Sequence, residues 1–244
     1  MKVLLAGEQA ADLADEVRKH SDLEVVEQSP EVVVCYGGDG TLLAAERQWP
    51  SIPKVPIKHS LRGNRCIARP ASAVLERLAR GELVRTEYLK LEGALRHADG
   101  TELPRRLGAM NEFSAHMGHI NAAVRFKLWL DEEAYAGGHE ILGDGFVIST
   151  PFGSTAYFSH ITRGVFHAGI GIAFKSTSEQ TNHVVVPEDV VVRVSITRGP
   201  AVLAYDNCTE YFDLREGDEL IVRKHACPAI LLTWSAMRHP SDAF

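Results

Sequence analysis

The chain has 244 residues, enough for one large domain or two modest ones. Hydrophobic residues make up 45% and charged residues 24%, which implies a packed core and excludes a disordered chain. The formal net charge of −6 argues against a nucleic-acid binder driven by electrostatics, leaving only a local basic patch open.

The four cysteines, Cys35, Cys66, Cys208 and Cys227, are far apart and form no CxxC pair. Neither a zinc site nor a disulfide framework is expected from them, and they read as reduced thiols of a cytoplasmic protein. The apolar run after Met1 is too short for a signal sequence and reads as a first buried strand. No segment has the apolar length that a membrane span needs.

In chain order, the first third alternates strand and helix. Val3–Ala6 is a continuous apolar run, followed by a helical stretch over Ala10–Lys19. Leu23–Val26 and Val32–Tyr36 are short and β-branched. Leu42–Gln48 reads as helix, Lys54–Ile57 as strand and Ala71–Ala79 as helix. This alternation predicts an α/β layer with a mostly parallel sheet.

After Gly81 the pattern changes to long alternating segments: Leu83–Leu95, Leu103–His116 and Ala122–Leu130. Asp99-Gly100 marks a hairpin between the first two, and Gly137-Gly138 a later turn. Val184–Val186, Val190–Ile196, Val202–Tyr205 and Leu220–Arg223 continue the strands, with turns at Pro187–Asp189 and Glu216–Asp218. The expected organisation is an α/β domain over 1–82 and a larger β-rich domain over 83–234, with the tail 235–244 able to return to the first.

Two segments carry chemistry. The strand Val32–Tyr36 runs into Gly37-Gly38-Asp39-Gly40-Thr41 and then a helix. Ligands of open α/β sheets bind past the carboxyl ends of strands, where this loop sits. Its glycines allow close backbone approach and positive φ. The following helix end can face a phosphate, with Thr41 as a candidate cap. The glycine spacing is neither a Walker loop nor a dinucleotide fingerprint, and a plain turn capped by an aspartate fits the same residues. The second segment, Gly143–Tyr157, passes from a Gly-Asp-Gly turn through a short apolar strand to a cluster of hydroxyls around Pro151 and Gly153. Such a strand end suits a ligand with ribose or phosphate groups, and it also suits an ordinary loop.

Together these segments resemble the NAD kinase family, whose signatures are a GGDGT loop and a GDG…STPTGSTAY segment. Here they stand as Gly37–Thr41 and Gly143–Tyr157, with Phe152 in place of the usual Thr. Met110-Asn111-Glu112 matches the family's Asn-Glu motif between them. GGDGT alone is shared with lipid and sphingosine kinases of the same superfamily; the second motif is more specific.

The resemblance implies an α/β N-terminal domain and a β-rich C-terminal domain with substrates between them. It implies phosphoryl transfer from ATP, or polyphosphate, to the 2′-hydroxyl of the adenosine ribose of NAD, giving NADP. Asp39 would be general base or metal organiser, with Mg²⁺ bridging phosphate oxygens. Gly38, Gly40 and Thr41 would bind the nucleotide, Asn111 and Glu112 would hold the adenine and ribose side, and Asp144 would contact the nicotinamide amide. Thr155, Ala156, Tyr157 and His160 would line the dinucleotide pocket. A homodimer or homotetramer is implied, without nucleic acid or membrane as partner.

The chain departs from the family in several places. The usual second Gly-rich segment is the basic stretch Ile57–Cys66, where Lys58, Arg62 and Arg65 could grip phosphates or form a solvated loop. His160 replaces a serine, Thr162-Arg163-Gly164 replaces Gly-Gly-Pro, and a late DGQ-like motif appears as Asp206-Asn207-Cys208. These changes leave open a kinase for another nucleoside or a lipid, or a non-catalytic NAD-binding protein. His116 and His119 have no obvious third metal ligand and read as polar positions near a cleft.

Overall fold

The short apolar runs of the first third form β1 (Lys2–Ala6), β2 (Glu24–Val25), β3 (Val32–Gly37) and β4 (Lys54–Lys58). Between them lie α1 (Ala14–Val17), α2 (Asp39–Gln48) and α3 (Ala71–Ala79), and β5 (Val84–Tyr88) follows. The computed structural model describes residues 1–60, 63–177 and 179–235. Its chain divides into two units: Met1–Tyr88 with the segment from Cys227 onward, and Leu89–Ala226.

In the first unit the strand order is β2-β1-β3-β4, then a last strand Ala229–Thr233, then β5. All pairs are parallel except β5, which runs antiparallel to the last strand. The mostly parallel sheet predicted for this region is therefore present. The segment Leu83–Leu95 reads as one alternating run, but its two halves enter different sheets. The change of unit accordingly falls after Tyr88, and 229–233 return to the first sheet. Residues 236–244, most of the tail expected to return, lie outside the described residues. The helix expected over 10–19 is a 3-10 turn (Ala10–Leu13) followed by the short α1. Neither piece has a side-chain cap, and only Ala10, Leu13 and Val17 are buried, so little holds a longer helix in place.

In the second unit the strands are β6 (Leu91–Arg96), β7 (Leu107–Ala109), β8 (Glu112–Met117), β9 (Val124–Leu130) and β10 (Glu133–Ala134). They continue with β11 (Ile141–Gly143), β12 (Gly145–Ser149), β13 (Ile170–Lys175) and β14 (His183–Val186). The series ends with β15 (Val192–Arg198), β16 (Ala201–Tyr205), β17 (Phe212–Leu214) and β18 (Glu219–Lys224). A short helix α4 (Tyr157–Thr162) lies between β12 and β13. One sheet has the order β10-β9-β15-β18-β6-β7 with β11 on β9, and the other β14-β13-β12-β8-β16-β17. Every strand pair in both is antiparallel. Alternate side chains of each strand point inward. Phe113, Phe126, Phe146 and Phe174 meet there with Leu91, Leu95, Val194 and Val222. The expected hairpin is present: β6 pairs with β7 across Gly100, which has φ of +85°.

The chain passes from one sheet to the other twice at residues singled out in the sequence. Met110-Asn111 joins β7 to β8, and Asp144 alone joins β11 to β12. Both corners put motif residues at strand ends, where side chains are not committed to the core.

Beneath α2 the first unit buries an ion pair. The Lys54 ammonium contacts the Glu46 carboxylate and the Trp49 carbonyl, with Lys54 wholly buried. Removing one partner of such a pair leaves an uncompensated charge in the core. Lys54→Met alone should lower unfolding stability by ~3–5 kcal/mol in denaturant titrations, and adding Glu46→Leu should recover most of that loss.

Candidate functional site

The first unit supplies a carboxylate at a helix end. Gly38 is the extended residue before α2, and Asp39 is its first helical residue. Thr41 therefore lies inside the first turn and does not cap the helix; no side-chain cap bond is present. None of the loop's three glycines takes a positive φ. Gly38 instead leaves room for close approach, since a Cβ there would meet Ser60 Oγ at 2.5 Å and Ser60 Cβ at 3.3 Å. The stretch after β4 is thus packed directly on the loop.

That packing fixes Asp39. The Asn64 N–H donates to Oδ2 at 3.0 Å and the Arg65 N–H to Oδ1 at 2.8 Å, with Cys66 Sγ at 3.6 Å from Oδ1. A carboxylate that accepts main-chain N–H bonds is pre-oriented. Arg65 reaches the site through its backbone; its side chain is 5% exposed. Burial lowers its pKa, opposed by Tyr88 and Asp39. Burial, and then Asp39, push the Cys66 thiol up, so it stays protonated. Lys58 is half-buried, and Arg62 lies outside the described residues.

The second unit brings Asn111, Glu112, Asp144 and Tyr157 into one cluster with Asp206 of the late motif and with Lys175, which the sequence did not flag. Asp206 accepts from three successive N–H groups: Met110 to Oδ2 at 2.8 Å, and Asn111 and Glu112 to Oδ1 at 2.7 and 3.2 Å. Its own N–H donates to the Glu112 carbonyl at 3.0 Å. The altered Asp206-Asn207-Cys208 motif thus clamps the Asn-Glu turn. From the other side Thr150 Oγ1 donates to the Met110 carbonyl at 2.6 Å and the Thr150 N–H to the Asn111 carbonyl at 2.9 Å. A Cβ on Gly153 would meet the Asn111 carbonyl oxygen at 2.3 Å, so that position admits only glycine.

The hydroxyl cluster is largely spent on this docking, which corrects its reading as a ligand surface. Ser149, Thr150 and Ser154 are fully buried and donate to backbone carbonyls. Thr155, Ala156 and Tyr157 are half-exposed at the start of α4, and His160 is exposed on it. Phe152 is buried.

Lysine 175, at the end of β13, is the main residue missed. Its ammonium donates to Ser114 Oγ at 2.9 Å and the Ala115 carbonyl at 2.7 Å, and lies 4.7 Å from the Tyr157 ring centre. Burial lowers its pKa to about 7 against the pull of Glu112 and Asp144. Glu112 is 8% exposed, and its Oε2 has no hydrogen-bond partner. Burial and then the Asp206 charge raise its pKa to about 8, with Lys175 opposing. His116 stacks on Tyr157 with centroids 5.7 Å apart and pairs with Ser114 Oγ at 2.8 Å. Burial and then Lys175 lower it to about 4, so it is neutral at ordinary pH. A lone lysine ending an apolar strand gives no motif signal, which is why sequence inspection passed over it. Among the described residues no group of three or more His, Cys, Asp or Glu could share a metal ion, and no helix is long and apolar enough to cross a membrane.

Asp206→Asn should lower the Glu112 pKa below about 8, because it removes the like charge that lifts it. A carboxyl-detected NMR titration measures this directly. Asp206→Ala, which strands three N–H donors, should cost about 3 kcal/mol of unfolding stability.

No protein-family model matches the chain. Its sequence is 33% identical over 132 residues to an NAD kinase of Clostridium botulinum, a match covering 53% of this chain and 45% of that relative. The chain thus spans about half the length of this relative. It is 24% identical over 249 residues to the NAD kinase of Nitrosospira multiformis, covering 99% of this chain and 81% of the relative. Among solved structures, yeast NADH kinase complexed with NADH aligns with a TM-score of 0.78 at 18% identity, covering 88% of this chain and 68% of that one. The NAD kinase of Archaeoglobus fulgidus in complex with ATP aligns with a TM-score of 0.75 at 17% identity, covering 95% and 92%. By sequence the chain is similar to NAD kinases, and its α/β sheet with two antiparallel sheets matches the fold of the solved NAD(H) kinases.

Proposed function

We propose that the protein transfers a phosphoryl group from ATP, or polyphosphate, to the 2′-hydroxyl of the adenosine ribose of NAD, giving NADP. The observation that carries this reading is the Asp39 carboxylate, oriented by the Asn64 and Arg65 N–H groups at the positive end of α2. The geometry supports a group that positions the reactants and holds a charge-neutralising cation. An alcohol proton leaves late in a loose phosphoryl-transfer transition state, so such positioning matters more than base strength.

Magnesium fits the donor that Asp39 presents. A carboxylate and a phosphate at one helix end repel each other unless a cation lies between them. Asp39 offers one hard anionic oxygen donor, which suits Mg²⁺ arriving with the triphosphate and keeping phosphate and water as its other ligands. The ion would neutralise charge on the transferring group. Gly38, Gly40 and Thr41 bind phosphate in this reading, with Lys58 and the Arg65 main chain beside them.

The acceptor belongs to the second unit in the same reading. Asn111 and Glu112 take the adenine and ribose side, the free Glu112 oxygen accepting from a sugar hydroxyl. Asp144 takes the nicotinamide amide, and Thr155, Ala156, Tyr157 and His160 line the pocket. A cytoplasmic homodimer or homotetramer completes the proposal.

Asp39→Asn keeps the shape of the side chain and removes its charge. It should lower NADP formation from NAD, ATP and Mg²⁺ by at least about a hundredfold. NAD affinity, measured by calorimetry, should stay within about threefold, since the acceptor residues are in the other unit. A variant that keeps the wild-type rate removes Asp39 from the mechanism.

A further inference from the structure

Lysine 175 buries a positive charge beside the residues assigned to the dinucleotide. It is 5% exposed, yet among the described residues no carboxylate reaches salt-bridge distance of its Nζ. The ammonium is held by a hydroxyl, a carbonyl and an aromatic face. An apolar side chain of the same length would fill this space without the cost of desolvating a charge. Ser114 Oγ accepts from Lys175 and also pairs with His116 Nε2, which links the cation to the neutral His116 ring. Ser114, His116 and Tyr157 thus adjoin the cation in sequence of contact, and none of these three carries a compensating negative charge.

We propose that Lys175 sets the redox form of the acceptor, favouring NADH, whose nicotinamide ring is uncharged, over NAD⁺, whose ring is a cation. The proposal rests on the reading above that places the nicotinamide at Asp144, whose N–H donates to the Lys175 carbonyl at 2.8 Å. A unit charge near the ring penalises the pyridinium and leaves dihydronicotinamide almost unaffected. Lys175 is a specificity determinant here, acting through the field and through the Tyr157 ring that it faces.

The preference should depend on pH. The groups facing Nζ are Glu112, Ser114 and His116 of β8, Asp144 at the β11–β12 corner, and Tyr157 of α4. Asp206 acts on Glu112, while β14 contributes His183, which turns its ring against Phe158 instead. Lys175 loses its proton near pH 7 and Glu112 near pH 8. The pair therefore moves from positive to negative as pH rises through this window, and the penalty on NAD⁺ fades.

Wild type, Lys175→Met and Lys175→Arg are compared with NAD⁺ and NADH at pH 6.5 and 9. Both kcat/KM with ATP and Mg²⁺ and the calorimetric Kd without ATP are recorded. The wild-type NADH to NAD⁺ ratio should fall as pH rises. At pH 6.5, Lys175→Met should shift it toward NAD⁺ on the order of tenfold. Lys175→Arg, charged at both pH values, should show a smaller fall between pH 6.5 and pH 9 than wild type, the remainder coming from Glu112 alone. A structural role alone would weaken both dinucleotides equally, and equal ratios in wild type and Lys175→Met at pH 6.5 would overturn the proposal. A shift in the Kd ratio without phosphoryl transfer leaves the proposal standing and removes the kinase reading. Failure of wild type to bind either dinucleotide removes both.

Discussion

Three consecutive N–H groups, of Met110, Asn111 and Glu112, converge on the Asp206 carboxylate, and the other residues of the second unit's cluster depend on that convergence. The turn they form carries the chain from one antiparallel sheet to the other. Its carbonyl side is tied down by Thr150, and Gly153 lets the two backbones touch. With both sides of the turn held, Asn111 and Glu112 have almost no freedom to adjust. Glu112 in consequence keeps an oxygen without a partner in a buried place, a cost that a folded protein normally avoids. Such an oxygen is what a hydroxyl-bearing ligand would satisfy.

The two units treat charge in contrasting ways. In the first, Asp39 is half-exposed and held by main-chain donors, while the buried Lys54 and Glu46 neutralise each other under the helix. In the second, Lys175 and Glu112 are buried without a contact ion pair, and desolvation moves both toward neutral forms. A poised pair of this kind responds to a charged ligand and to pH, whereas the Lys54–Glu46 pair serves only the fold. Burial alone does not separate the two cases; direct contact between the opposite charges does.

Much of the fold was legible from periodicity. The β-branched runs Val32–Tyr36 and Lys54–Ile57 and the hairpin at Gly100 need only local information, and they stand as expected. The end of the first unit was not legible, because Leu83–Leu95 alternates without interruption although its halves pair with strands distant in sequence. The last strand, Ala229–Thr233, inserts between β4 and β5, a long-range pairing that local pattern does not encode. Within the candidate site, Asp39, Asn111, Glu112 and Asp144 were visible as motif residues. The hydroxyls of Ser149, Thr150 and Ser154 were visible too, but only burial reveals that they hold the backbone. Lys175 was invisible, since its meaning comes from Ser114 and Tyr157, which lie far from it along the chain.

The proposed function requires that a phosphoryl group reach a dinucleotide hydroxyl. The most direct test incubates the purified protein with NAD and Mg²⁺ while the donor is varied among ATP, other nucleoside triphosphates and polyphosphate. The product is identified by mass and by a dehydrogenase that accepts only NADP. Formation of NADP phosphorylated at the 2′ position, dependent on one of these donors, is the predicted result. Tight NAD binding with no phosphorylated product from any donor would contradict it.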